Sequence, residues 1–290
     1  MKTLRITGVP EHFNLPWKKV VASQPFLEDG IRLEWVDESR GSGQMNKALR
    51  NDETDIAIVL TESFLQDFEN GNPSKILGYH VVSPLIWGIH IDGKCEVSKL
   101  DEIKSPTFLI SRMGSGSQLM SYVLAKRENW SKEDLEFKVI GNLPGALEAM
   151  NPDSPDLFLW EKYTTKPWVD SAEIKRIGEV PSPWPCFVIV ATDKASSAFG
   201  EKLFQLRDLI YKESEKLKNS KTTAQEIAEI YDLKLEDVVQ WLKQTTWAIS
   251  NEISISQLKK AMAEMIELGI LKNELRLSDF LPSDRVSFVD

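Results

Sequence analysis

Two stretches of this chain repeat one phrase of serine, arginine and glycine. Ser39-Arg40-Gly41-Ser42-Gly43-Gln44-Met45 is echoed by Ser111-Arg112-Met113-Gly114-Ser115-Gly116-Ser117-Gln118-Leu119-Met120. Glycine lets a backbone turn tightly and approach a bound group, and serine can cap a helix or donate a hydroxyl hydrogen bond. Each copy follows a strand-like run and opens a helix-like one. A helix N-terminus presents unpaired N–H groups and a partial positive charge, so the chemistry these residues offer is the seating of an anionic or polar group. Both copies lack the third glycine of G-x-G-x-x-G, and neither completes G-x-x-x-x-G-K-[ST]. Binding of ATP or NAD is not expected.

Other side chains with chemical potential are few. Glu62 and Glu161 have the residue type of an acid/base pair, but no G-x-S-x-G elbow or Cys/His pairing accompanies them. Arg40 and Arg112 have the fork that clamps a carboxylate, phosphate or sulfonate. Trp160 could stack on a ligand beside Glu161, with Trp184 as a second aromatic. The three histidines, His12, His80 and His90, stand at no metal-ligand spacing, and the two cysteines, Cys95 and Cys186, read as unpaired thiols. Neither a metal nor a cofactor is expected, and no residue is assigned a catalytic role.

The elements that must position these groups come in two series. Strands over 3–8, 30–37 and 54–60 alternate with helices over 16–23, 43–50 and 61–69. A second series places strands over 106–111, 136–140 and 156–160 and helices over 116–129, 143–150 and 161–169. This βαβαβ order implies parallel strands with helices on both faces. The extended runs 81–91 and 184–191 bracket the second series and read as crossing strands that could act as a hinge. Beyond them the pattern is helical over 193–218, 222–231, 235–243 and 254–268, the last ending at the cap residue Gly269. The run from Thr222 to Leu242 has the outline of a helix-turn-helix, but Glu236 and Asp237 occupy the would-be recognition helix, so a packing role is expected.

At 290 residues, with 42% hydrophobic and 27% charged residues, the chain suits two globular domains. No apolar run approaches the roughly 18–20 residues that span a bilayer. A formal net charge of −9 argues against nucleic acid or an anionic membrane as the main partner. The N-terminus enters a strand directly, without the apolar segment of a signal peptide. A cytosolic location is therefore expected, and a periplasmic or secreted one only if a leader has been removed.

In an open α/β sheet, ligands bind beyond the carboxyl ends of the strands. In the first series those ends carry Val9-Pro10-Glu11-His12, Ser39 to Gly43 and Thr61-Glu62-Ser63; in the second, Ser111 to Ser117, Gly141-Asn142 and Trp160-Glu161. This order of features, together with Leu4-Arg5-Ile6-Thr7-Gly8, Asp55-Ile56-Ala57-Ile58, Trp160-Glu161-Lys162-Tyr163 and Arg176-Ile177-Gly178, resembles the type II periplasmic binding proteins. More narrowly, it is similar to their sulfonate-, nitrate- and thiamine-precursor-binding group and its signal-less fungal members. The resemblance implies two Rossmann-like lobes with mixed sheets joined by two hinge strands, with the helical C-terminal segment packed on the first lobe. Residues 1–84 and 185–290 would form lobe 1, and 85–184 lobe 2. Such lobes close on a small anionic or heteroaromatic metabolite. Carried over, the contacts fall to Pro10, Ser39, Gly41, Ser42, Thr61, Ser111, Gly114, Ser115, Asn142, Trp160 and Glu161, with His12 added from its place after the first strand. A solute-binding protein is the first expectation, and an enzyme of the same fold acting on a thiamine-precursor or menaquinone-pathway type of metabolite is the alternative. The expected partner is a small molecule, with a homodimer left open and neither nucleic acid nor membrane insertion foreseen.

Overall fold

Wholly apolar runs become inner strands and alternating runs become edges. A computed structural model describes residues 1–282 and 284–290, in two units: unit 1 holds Met1–Ser83 and Trp184–Asp290, and unit 2 holds Pro84–Pro183. Unit 1 begins with β1 (Lys2–Gly8), a 3-10 turn (His12–Asn14), α1 (Leu15–Ser23), β2 (Ile31–Asp37), α2 (Ser42–Arg50), β3 (Ile56–Leu60), α3 (Thr61–Glu69) and β4 (Ser74–Val81). Unit 2 holds β5 (Ile86–Asp92), β6 (Thr107–Ile110), α4 (Gly116–Glu128), β7 (Glu136–Val139), α5 (Leu143–Ala149), β8 (Leu157–Glu161), α6 (Lys166–Asp170) and β9 (Ile174–Pro181). The chain returns to unit 1 through β10 (Phe187–Thr192), α7 (Asp193–Phe199), α8 (Glu201–Asn219), α9 (Thr223–Tyr231), α10 (Leu235–Gln244), β11 (Glu252–Ser254), α11 (Ile255–Glu267), α12 (Leu277–Phe280) and β12 (Ser287–Val289).

The two five-stranded sheets share one plan. Unit 1 orders its strands β2-β1-β3-β10-β4, and unit 2 orders them β7-β6-β8-β5-β9. In each, the first three are parallel, and the fourth, the strand that has just crossed from the other unit, is antiparallel to both neighbours. Both sheets are therefore mixed, as the sequence leads one to expect. Every residue of the inner strands β3 and β10 is buried, and the edge strands β2 and β7 expose alternate or most residues, whereas the edge strand β4 is buried because α8 packs on it. The crossing segments are tied to each other within each unit. Cys186 N donates to Ser83 O (3.2 Å) in unit 1, while Ser182 N donates to Leu85 O (2.9 Å) and Leu85 N to Ser182 Oγ (3.0 Å) in unit 2.

The helical C-terminal segment packs on unit 1. Arg207 Nη1 and the Tyr211 hydroxyl, both on α8, donate to Leu77 O (2.9 Å) and Tyr79 O (3.0 Å) of β4. Gly78 between them leaves room for this approach, since a Cβ there would collide with the Tyr211 hydroxyl. α11 ends as expected at Gly269, whose φ of 71° supports a Schellman cap with Ile270 N on Met265 O (2.8 Å) and Gly269 N on Ile266 O (2.9 Å).

Four differences from the sequence expectation have local causes. Of the run 81–91 only the part after Pro84 is a strand, β5, and the run meets the unforeseen β4 at Val81 alone. The helix expected over 161–169 forms only at Lys166–Asp170, because Glu161 closes its own side-chain turn before Pro167 can start a helix. The helix expected over 193–218 breaks at Gly200, whose φ of 50° and ψ of −124° belong to neither α7 nor α8. β9 is not foreseen: its half-buried pattern, Ile174-Lys175-Arg176-Ile177-Gly178-Glu179-Val180-Pro181, suits the sheet edge it occupies.

Candidate functional site

The parallel strands of each unit end in the turns singled out above. In unit 1, Pro10 and Ser39 are exposed, Gly41 is half-buried, and Ser42 and Thr61 are buried. Gly41 is the N-cap of α2 with φ 79°, a backbone that favours glycine. Ser42 is the first helical residue, not the cap, and its Oγ accepts from Leu60 N (2.9 Å) at the end of β3. Thr61 lies directly beyond: its N donates to Cys186 O (3.0 Å) and its hydroxyl to Pro185 O (2.6 Å). The turns after β2 and β3 are thus stitched together and to the returning chain. His12 stands apart from this set. It is buried among Phe13, Tyr231 and Trp241, with the Trp241 ring 4.2 Å away, and burial pushes its imidazole down to about 3. It is a neutral packing residue in this environment.

Unit 2 repeats the arrangement with different chemistry. Ser115 is the N-cap of α4, accepting from Gln118 N (3.3 Å), while the Gln118 side chain reaches back to Gly114 N (2.6 Å). Ser117 Oγ accepts from Ser111 N (3.1 Å) at the end of β6, the same service that Ser42 performs for Leu60. Asn142 caps α5, accepting from Gly145 N (3.1 Å), and Gly141 N donates to Ser111 O (3.2 Å). Trp160 is half-buried, stacked 5.3 Å from Phe158 against a cluster with Leu109, Leu143 and Ala146. Glu161 is buried and its Oε2 accepts from Tyr163 N (3.0 Å), Thr164 N (2.6 Å) and the Thr164 hydroxyl (2.9 Å). Burial raises its pKa, and those hydrogen bonds oppose the rise.

The structure also draws out a pair that the sequence lists among carboxylates and tryptophans without joining. Glu62, beside Thr61 in the first turn of α3, is fully buried, and its Oε2 accepts from Trp184 Nε1 (2.7 Å). Its Oε1 has no hydrogen-bond partner. Burial pushes this carboxyl up to about 7, against the lowering effect of its backbone and Trp184 hydrogen bonds. An acidic residue in the first helical turn after a strand with no polar residue is the only sequence signal for it. A cavity of about 300 Å³ also lies in unit 1, bordered by Arg5, Glu34, Glu38 and Arg40. Its arginines are engaged within the chain, Arg5 with Asp55 (2.8 Å) and Arg40 with Glu38 (2.7 Å). Among the described residues no group of three histidine, cysteine or acidic side chains could hold a metal ion, and no helix is long and apolar enough to cross a membrane.

This topology, with its strand-end turns, is also found in known proteins. Over its whole length the chain is similar to the CA3427 gene product of Candida albicans, described as exhibiting the generic periplasmic binding protein fold, at 24% identity, a TM-score of 0.85 and coverage of 100% of this chain and 99% of that one. The chain has the periplasmic-binding-protein fold. The family of Ca3427-like periplasmic binding proteins matches residues 87–180, which lie within unit 2. The alkanesulfonate-binding protein SsuA of Xanthomonas axonopodis pv. citri, bound to MOPS, is similar at 15% identity, with a TM-score of 0.75 over 97% of this chain and 98% of that one. PhnD1 of Prochlorococcus marinus, in complex with methylphosphonate, is similar at 11% identity, with a TM-score of 0.62 over 93% of this chain and 99% of that one. No curated protein matches the chain.

Proposed function

We propose that this chain is a small-molecule binding protein whose ligand is a small anionic or heteroaromatic metabolite. One observation carries the reading: both units end their parallel strands in glycine- and serine-bearing turns that open helices, within a fold whose solved members include sulfonate and phosphonate binders. Two titratable groups at these turns, Glu161 and His12, favour binding over turnover. Glu161 spends its Oε2 on its own turn, and His12 is caged by aromatic rings. Kinship with the thiamine-precursor group and its fungal members, and a cytosolic location, are part of the same proposal, with the likeness to the Candida protein as support. So is a hinge closure on ligand, for which the proline-bearing crossing segments are suited.

The test is ligand capture. The chain is incubated with a metabolite extract of its native host, recovered, and its bound small molecules are identified by mass spectrometry. A retained compound that comes back unchanged and raises the melting temperature supports the reading. Ser39→Trp in unit 1 and Trp160→Ala in unit 2 should each weaken that compound's binding. Chemical conversion of the compound, or full affinity in both variants, would refute it.

A further inference from the structure

Glu62 offers more than a buried carboxyl. Its side chain is held in place: Trp184 Nε1 fixes Oε2, and the neighbouring Thr61 clamps Pro185 and Cys186, which follow Trp184. The free valence therefore belongs to Oε1, buried at the carboxyl end of β3 with no donor against it. Ser42 hydrogen-bonds Leu60 two residues upstream, so the start of α2 lies beside the same strand end. In α2 the intrahelical bonds begin with Gln44 N and Met45 N on Gly41 O (3.0 and 3.3 Å), so the amides of Ser42 and Gly43 precede the first intrahelical bond. The end of β3 thus carries a carboxylate acceptor, and the helix N-terminus that Ser42 ties to that same strand end carries backbone donors.

Two cations of the strand-end turns are already paired. Arg40 Nε and Nη2 both bind Glu38 (2.8 and 2.7 Å), and Lys162 in unit 2 pairs with Glu179 (3.0 Å). A sulfonate or carboxylate has only acceptor oxygens, and above about pH 7, where Glu62 is ionised, it would set two like charges together away from water. A ligand with an N–H beside a carbonyl or ring nitrogen satisfies both halves of the turn set.

We propose that Glu62 is the specificity-determining residue of the solute site on unit 1, its Oε1 accepting a hydrogen bond from an N–H of the ligand. The ligand class is then a small ring bearing an amide or amidine-like edge, in preference to an organic anion. This rests on the solute-binding reading above and narrows it.

The experiment uses matched probes on one ring, with the full chain at pH 8, read by thermal shift and calorimetry. Nicotinamide is compared with nicotinate and pyridine-3-sulfonate, and benzamide with benzoate and benzenesulfonate. The amides should bind and the anions should not. In Glu62→Gln the side-chain carbonyl must still serve Trp184, which turns the other position into an N–H donor. Amide affinity should fall by about tenfold or more, and the anions should gain. The wild-type series decides the ligand class by itself if the variant does not fold. Tighter binding of the anions by wild type overturns the inference while solute binding stands. Silence across all six probes also overturns it, whereas the solute-binding reading falls only if metabolite capture fails too.

Discussion

Glu62 makes the stability of unit 1 depend on pH in a way that can be worked out in advance. Its carboxyl sits at about 7 in the folded chain against an ordinary 4.5, because burial disfavours the charged form. The folded state therefore holds a proton that the unfolded state has released between these two values, and stability falls as pH rises through that window. Below about 4.5 the contribution is fully present, and above about 7 it is gone. Each unit of displacement is worth about 1.4 kcal/mol, so wild type should lose about 2.5 kcal/mol from this group between pH 5 and pH 8. Glu62→Gln keeps an acceptor for Trp184 and cannot ionise. Urea unfolding of both proteins at both pH values, followed by far-ultraviolet circular dichroism, isolates the effect: the variant should gain about 2.5 kcal/mol on wild type from pH 5 to pH 8. Any fixed penalty of the substitution cancels in that difference. A gap that moves by less than about 1 kcal/mol would refute the argument and require a compensating charge beside Glu62.

The remaining predictions concern the framework. Ser42→Ala leaves Leu60 N–H buried without its acceptor and should cost about 1–3 kcal/mol in urea unfolding, whereas Ser39→Ala, on an exposed residue of the same phrase, should change stability by less than about 0.5 kcal/mol. Equal effects would mean that the hydroxyl of Ser42 is not structural. Gly78→Ala drives a methyl into the Tyr211 hydroxyl of α8 and should cost about 1–3 kcal/mol, with Tyr211→Phe recovering part of the loss in the double variant. Additive losses in that cycle would exclude the clash. Gly200→Ala forces a side chain onto a φ of 50° with ψ of −124° and should lower the melting temperature, the loss corresponding to about 1–3 kcal/mol. An unchanged melting temperature would show that α7 and α8 can join without strain.

How much of this was legible in the sequence depends on whether the deciding contact is local. Ile56-Ala57-Ile58-Val59-Leu60 reads as a buried strand because burial on both faces leaves no place for a polar residue, and it is one. The helix starts at Ser42 and Gly116 are legible for a similar reason, since glycine and serine there answer to the turn itself. β9 is not, because an edge strand needs no apolar run and its charged residues find partners along the strand and beside it, as Glu179 does with Arg176 (3.6 Å) and with Lys162 (3.0 Å). His12 shows the limit for the site: nothing near Pro10 signals that Trp241 and Tyr231 will close over the imidazole from distant helices. The Glu62–Trp184 bond is hidden likewise, since its partners come from opposite sides of unit 2 in the sequence.

In both copies of the repeated phrase one serine hydroxyl is consumed by an amide at a strand end, Ser42 by Leu60 N of β3 and Ser117 by Ser111 N directly after its own preceding strand β6. Ser115 spends its oxygen on Gln118 N as a cap, whereas the cap of α2 is Gly41, which has no side chain to spend. The hydroxyls of Ser42, Ser115 and Ser117 are therefore scaffold. What they hold in place is the helix N-terminus, whose amides are nearly independent of sequence and would suit any small acceptor group. Selectivity must then come from a group that is not part of the phrase and is not already satisfied. In unit 1 the buried carboxylate oxygen of Glu62 meets both conditions, and this is why the proposed change of ligand preference is sought at Glu62, outside the repeated phrase, while substitutions of Ser42 and Ser117 should change how well the turn is built.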